Sequence, residues 1–194
     1  IVVNPLPNVN LTLVNGCLAD SLPLLDNSTV AASNLVKWIW YFGDGSHDTI
    51  QAPDLTGDTN HLYAAYGFYD VIQTAITDSG CAVQDTQNIQ IYEMPLANFN
   101  LTKACLNSPS QFFDISTIAT DSISEWHWDL GDGNTLNTKN PSYVYATADT
   151  FLITFEATSS QGCSDIISRT DTVLPLPISD FGAANVCLDN NLTL

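Results

Sequence analysis

Bulky apolar residues fall at every second position in two short stretches, Trp38, Trp40 and Phe42 in the first and Trp126, Trp128 and Leu130 in the second. A period of two is that of a strand with one face buried, so these residues are expected in the core. Each stretch runs into Gly-Asp-Gly, at Gly43-Asp44-Gly45 and Gly131-Asp132-Gly133. Glycine tolerates positive φ and Asp hydrogen-bonds nearby backbone N–H groups, which predicts tight turns held by Asp44 and Asp132. Further strand patterns surround the first copy: Val9 to Leu13, Leu22 to Leu25, Leu35 to Phe42, Phe68 to Thr77 and Thr86 to Tyr92. No window spaces its apolar residues for a helix, and the strand patterns are separated by Gly, Pro, Asn, Asp and Ser. The expected class is all-β, with β-sandwiches of about seven strands per unit.

The pattern repeats along the chain. Gly43 recurs at Gly131, Cys17 at Cys105 and Ser28 at Ser116, each 88 positions on. Beyond the turn the offset falls to 82, carrying Tyr63 onto Tyr145, Tyr69 onto Phe151 and Cys81 onto Cys163. The first copy therefore holds six extra residues, within His47 to Asn60, and this expansion is expected as an exposed loop. The same 82-residue offset carries Pro95, Phe99 and Cys105 onto Pro177, Phe181 and Cys187. Residues 1–6 then read as the end of a preceding unit with its linker, 7–94 as unit one, 95–176 as unit two and 177–194 as the start of a third. Pro-rich connectors at Pro5 and Pro7, at Pro95, and at Pro175 and Pro177 punctuate these units and should be short and stiff.

Charge narrows the partners. With 4 Lys and Arg against 21 Asp and Glu, the chain carries a formal net charge of −17, which repels nucleic acid and anionic membrane surfaces. No apolar run is long enough to span a bilayer, so direct membrane insertion is not expected. Catalytic patterns are thin. Asp78-Ser79-Gly80 resembles half of an aspartic-protease site, but Ser160-Gln161-Gly162 replaces it in the second unit; Ser46 after the first turn becomes Asn134. His47, His61 and His127 lack metal-ligand spacing and there is no Cys-x-x-Cys, so no enzyme is expected. Tandem Trp residues could stack on sugars, yet two inward residues repeated on one strand face belong to packing.

Taken together, Trp-x-Trp-x-Phe-Gly-Asp-Gly, then His61-x-Tyr63-x-x-x-Gly67-x-Tyr69-x-Val71 and Gly80-Cys81, resemble the PKD (polycystic kidney disease) domain, which implies tandem immunoglobulin-like β-sandwiches. Unit two keeps Pro141-x-Tyr143-x-Tyr145, with Asp149 and Phe151 in place of the usual Gly and Tyr. The paired cysteines and Pro-x-Pro connectors are similar to PKD arrays in type IX-secreted surface proteins and gliding-motility adhesins of the Bacteroidota. The resemblance implies an extracellular, non-catalytic stalk or adhesin spacer. Its partners would be neighbouring repeats of the same chain, cell-surface polysaccharide or other surface proteins. The alternative it leaves open is an accessory polysaccharide- or protein-binding module of a secreted hydrolase. By analogy with the immunoglobulin fold, Tyr63 and Tyr145 should act as tyrosine-corner locks.

The resemblance also bears on metal and cysteines. No cofactor is implied except calcium, which some members hold; Asp26, Asn27 and Asp78 match part of that ligand set, short of the six to eight oxygens a calcium ion takes. A surface location implies disulfides for Cys17, Cys81, Cys105, Cys163 and Cys187. Two schemes stand open: Cys17–Cys81 with Cys105–Cys163 inside the units, or Cys17–Cys163 across the junction. Immunoglobulin strand order puts Cys17 and Cys81 at opposite ends of one sandwich, which argues against the first.

Overall fold

A computed structural model describes residues 3–51, 53, 54, 56–180 and 182. Cys187, and most of the proposed third unit, lie outside the described residues, as do Ile1 and Val2. Unit one contains β1 (Leu11–Thr12), β2 (Gly16–Cys17), β3 (Ser21–Asp26), β4 (Leu35–Tyr41), β5 (His47–Gln51), β6 (Thr59–Leu62), β7 (Gly67–Thr77) and β8 (Ala82–Tyr92). These form a three-stranded sheet β1-β3-β6 and a five-stranded sheet β2-β8-β7-β4-β5. Unit two contains β9 (Phe99–Leu101), β10 (Ser110–Asp114), β11 (Ile123–Asp129), β12 (Thr135–Leu136), β13 (Ser142–Tyr143), β14 (Thr150–Ser159) and β15 (Ser164–Thr172). Its sheets are β13-β10-β9 and β12-β11-β14-β15. The protein is all-β, two sandwiches in tandem, and among the described residues no helix is long and apolar enough to cross a membrane.

Alternation builds both cores. Along β7 the inward residues are Val71, Gln73, Ala75 and Thr77; along β14 they are Phe151, Ile153, Phe155, Ala157 and Ser159. Trp38, Trp40 and Phe42 on one side and Trp128 and Leu130 on the other face these strands. β4 runs antiparallel to β7 with Trp38 opposite Ala75 and Trp40 opposite Gln73; β11 pairs with β14 with Trp126 opposite Ala157 and Trp128 opposite Phe155. The register is the same in the two units once the offset is allowed for, because a slip of one residue would turn every Trp to solvent.

The structure differs from the sequence expectations in three places. β2, β5 and β6 were not expected as strands: they are short or polar (Gly-Cys, His-Asp-Thr-Ile-Gln, Thr-Asn-His-Leu) and lie at sheet edges, where only one side pairs and alternation is weak. The stretch from Val9 to Leu13 keeps only Leu11–Thr12 as strand, with Asn8 joined to Thr29 by an isolated bridge. Trp126, expected in the core, is only partly buried at its rim, because the shorter loop of unit two leaves it uncovered.

Candidate functional site

Polar and aromatic groups converge where the two units meet. β2 lies parallel to the last residues of β8, Cys17 beside Tyr92, and the Leu18 N–H donates to the Tyr92 carbonyl at 2.9 Å. Cys17 thus sits where the chain leaves unit one. Cys163 follows the hairpin turn between β14 and β15, held by its N–H to Ser159 Oγ at 3.2 Å and by the Ser159 N–H to its carbonyl at 2.8 Å. The two sulfurs are bonded, with Cα atoms 5.6 Å apart, across the junction. The intra-unit scheme does not form: Cys17 pairs with the end of β8, whereas Cys81 precedes its start, and eleven residues of strand separate them by roughly 33 Å. Cys81 and Cys105 have no disulfide partner among the described residues.

The connector is clamped as well. One Glu93 carboxylate oxygen accepts from the Ala119 N–H (3.1 Å), the Thr120 N–H (2.8 Å) and the Thr120 hydroxyl (2.7 Å), tying the linker to the β10–β11 loop. The Thr120 hydroxyl, more than the backbone donors, holds the Glu93 carboxyl below its usual range. In the same region Asp121 accepts from the Ser160 hydroxyl at 2.7 Å, which lowers its carboxyl likewise. Tyr66, Phe68, Tyr92, Glu93, Asp121 and Gln161 border a cleft of about 370 Å³ here. Phe68 is 76% exposed and Tyr66 45% exposed on its wall. Sequence reading missed these residues, although Phe68 lies out of phase with the inward residues of β7 and so had to face outward.

The two Gly-Asp-Gly turns are built alike from different partners. Gly43 has φ +83°, and a Cβ there would lie 2.8 Å from the Asp70 carbonyl oxygen; Gly131 has φ +76° and the same crowding at 2.6 Å from the Leu152 oxygen. Glycine is thus required both by conformation and by the close passage of the neighbouring strand. Asp44 accepts from the Ser46 N–H (2.9 Å) and hydroxyl (2.6 Å), and its other oxygen lies 2.7 Å from His61 Nε2. Partial burial pushes the Asp44 carboxyl up, but the Ser46 and His61 contacts together outweigh it and bring the group down to about 2. Asp132 accepts from the Asn134 N–H and, at 2.7 Å, from the Tyr143 hydroxyl, and it too is lowered against the upward pull of its burial. Tyr63 and Tyr145 donate to the Phe42 and Leu130 carbonyls, each at 3.0 Å, locking the ends of the Trp strands. Burial first, then nearby carboxylates, pushes both phenols above their usual range.

Ser46, His61 and Asp44 resemble a nucleophile relay in composition only. Both Ser46 Oγ (3.5 Å) and Asp44 approach the same nitrogen, Nε2, and the Ser46 proton goes to Asp44. A relay needs the carboxylate on one ring nitrogen and the hydroxyl on the other. His127 contacts Asn137, and His47 lies against Tyr41. The calcium set does not assemble either. Asp26 Oδ1 accepts from Gln73 Nε2 (2.7 Å) and the Ser28 N–H (3.1 Å), Asn27 donates to Thr12 Oγ1 (2.9 Å), and Asp78 accepts from Ser33 (2.6 Å) and Asn34 (3.1 Å). Among the described residues no three His, Cys, Asp or Glu side chains group as a cation site.

A family model described as the PKD domain matches residues 7–91 and again residues 92–174. Among solved structures, the PKD1 domain of Vibrio anguillarum Epp is 25% identical, covering 43% of this chain and 96% of that one at a TM-score of 0.41. The PKD1 domain from the Vibrio cholerae metalloprotease PrtV is 27% identical, with 42% and 98% covered at a TM-score of 0.40. Fibronectin(III)-like modules of Clostridium thermocellum CbhA are 13% identical, with 93% and 100% covered at a TM-score of 0.47.

Proposed function

The chain belongs to the PKD domain family, and from that premise we propose that it is a non-catalytic spacer of an extracellular protein, a stiff stretch of stalk that projects or supports an adhesive tip. Tandem PKD domains are typical extracellular modules of secreted proteins, and a disulfide suits that location. The observation that carries the reading is the junction: besides the connector itself, a covalent bond between Cys17 and Cys163 and the Glu93 clamp onto Thr120 both hold unit one to unit two. Two sandwiches joined only by a short linker would bend; joined at two points they keep one orientation. In this reading the units are residues 7–94 and 95–176, with residues 1–6 and 177–194 belonging to neighbours of the same kind. The finer assignment is a cell-surface adhesin of the Bacteroidota type IX kind, with gliding motility as its setting. Its partners are neighbouring repeats and surface polysaccharide or protein.

Small-angle X-ray scattering of the two-unit chain, oxidised and then reduced, tests the spacer. The expected result is a narrow distribution of end-to-end distances that broadens on reduction and broadens further in Glu93→Ala. Equal breadth in all three states would remove the reading. A second reading, an accessory polysaccharide- or protein-binding module of a secreted hydrolase, is favoured by the exposed Phe68 and Tyr66 on the junction cleft. The buried Trp38, Trp40 and Trp128 do not support it, since a sugar platform must reach solvent. Glycan-array binding that disappears in Phe68→Ala would establish this second reading over the first.

A further inference from the structure

Cys81 and Cys105 occupy the two positions whose counterparts form the staple, and their surroundings reproduce those of the bonded pair. Cys105 makes an isolated parallel bridge with Leu174, and the Leu106 N–H donates to the Leu174 carbonyl at 2.8 Å. Cys17 stands in the same relation to Tyr92, through the Leu18 N–H at 2.9 Å. Each therefore flanks the point where the chain leaves its unit. Cys81 follows the β7–β8 turn with its N–H on Thr77 Oγ1 at 3.0 Å and its carbonyl accepting the Thr77 N–H at 2.9 Å. That is the setting of Cys163 with Ser159. Both unbonded sulfur-bearing residues are partly exposed rather than packed into a core.

We infer that Cys105 and Cys81 are the outward halves of the same staple, each bonding a cysteine of an adjoining unit of the same kind. Cys105 takes the turn cysteine of the unit that follows, and Cys81 takes the exit-strand cysteine of the unit that precedes. A lone thiol would not justify this; the bonded counterparts, in the same backbone setting within the same chain, do. If the next unit docks on unit two as unit two docks on unit one, its turn cysteine arrives at the Cα separation of 5.6 Å seen for Cys17 and Cys163. Each bond forms by thiol–disulfide exchange: two cysteine thiols and one external protein disulfide give the staple and two thiols on the oxidant. The consequence is a continuous covalent ladder along the array, one rung per junction. The inference rests on the spacer reading and extends it from one junction to all.

Disulfide mapping of the full-length protein from its native source, with free thiols alkylated at harvest and the digest kept unreduced, tests it. The expected result is complete linkage of both peptides: Cys105 to a Gly-Cys turn peptide, and Cys81 to a peptide in which Cys follows a short first strand. A disulfide-linked multimer on a non-reducing gel, with these pairings made between copies, would overturn the ladder along one array. Alkylated Cys81 or Cys105, or a Cys81–Cys105 bond, beside an intact Cys17–Cys163 link overturns the inference while leaving the single stapled junction, and the spacer reading, in place. Loss of the Cys17–Cys163 link as well would remove both.

Discussion

Where β7 of unit one buries Gln73, β14 of unit two buries Phe155, and the two cores diverge around that exchange. In unit two Phe155 stacks on Trp128 with centroids 4.0 Å apart, and Phe99 meets both rings edge-on. With no polar neighbour to satisfy there, Asp114 is free to accept the Trp126 indole N–H at 2.8 Å. In unit one the counterpart, Asp26, instead accepts from Gln73, and the indole N–H of the corresponding Trp38 is buried without a partner among the described residues. The expanded loop closes over that Trp: a Cβ on Gly57 would lie 2.7 Å from its ring. Unit two has no such cover, and Trp126 meets solvent with Lys139 Nζ 5.7 Å above it. Conversely, unit two buries Ser110 and Asp171, hydrogen-bonded at 3.3 Å, where unit one has Leu22 and Ile89. The repeat preserves turns, locks and cysteines; the interior residues change in linked sets, because a buried donor or charge dictates what stands opposite it.

The largest expected effect tests the aromatic half of that contrast. Trp128→Ala should cost unit two about 3–5 kcal/mol, since it opens a ring-sized cavity and removes the Phe155 stack as well as the indole bond to the Thr138 carbonyl. Calorimetry should show one of two unfolding transitions falling while the other holds. Trp40→Ala in unit one removes a Trp with a matching bond to the Gly57 carbonyl but no ring stack, and should cost less. Equal losses would mean that the stacking adds nothing.

Next comes the shared aspartate. Asp26→Ala leaves the Gln73 amide buried and unpaired, so it should cost about 1–3 kcal/mol; Asp114→Ala releases only an N–H that water can reach and should cost about 1 kcal/mol or less. Both variants also lose a cap on the Ser two residues on, so that contribution cancels in the comparison. Chemical denaturation of each variant reads the difference, and a larger loss from Asp114→Ala would reverse the account. The covering loop gives a smaller effect. Gly57→Ala, at φ +73° and against Trp38 and Asp26, should cost about 1–2 kcal/mol and admit solvent to Trp38. Acrylamide quenching should then reach a second indole besides Trp126, and an unchanged quenching curve would show that Gly57 is not what seals the ring.

The sequence revealed what repetition and alternation can carry. Period two identified the Trp strands, offset counting located the extra residues before Asn60, and immunoglobulin strand order weighed against a Cys17–Cys81 bond. It could not show that Trp126 meets solvent, because the pattern on β11 equals that on β4 and the cover belongs to a loop elsewhere in the chain. Nor could it show the Glu93 clamp or the pairing of His61 with Asp44, which depend on contacts between residues 17 to 27 positions apart with no periodic signal. Edge strands such as β6 escaped for a related reason: a strand bonded on one side has little apolar pattern to display.

The smallest expected effect separates the two turn clasps by pH. Asp44 sits at about 2 in the folded protein against a usual value of 3.8, so its contribution is fully present above the unfolded value and is lost as pH falls from about 4 through 2. With the side chain 21% exposed, the loss should be about 1–2 kcal/mol after solvent screening. Asp44→Asn should remove this acid limb from the stability profile of unit one. Asp132 is lowered as well, so the limb in unit two has the same sign, but there the partner is the Tyr143 phenol, a neutral donor throughout this range. His61→Tyr would give unit one the clasp of unit two. Its acid profile should then converge on that of unit two, with the turn itself intact because Ser46 still donates to Asp44. If His61→Tyr leaves the two profiles as far apart as in the wild type, the difference between the units lies in their cores and not in the clasp.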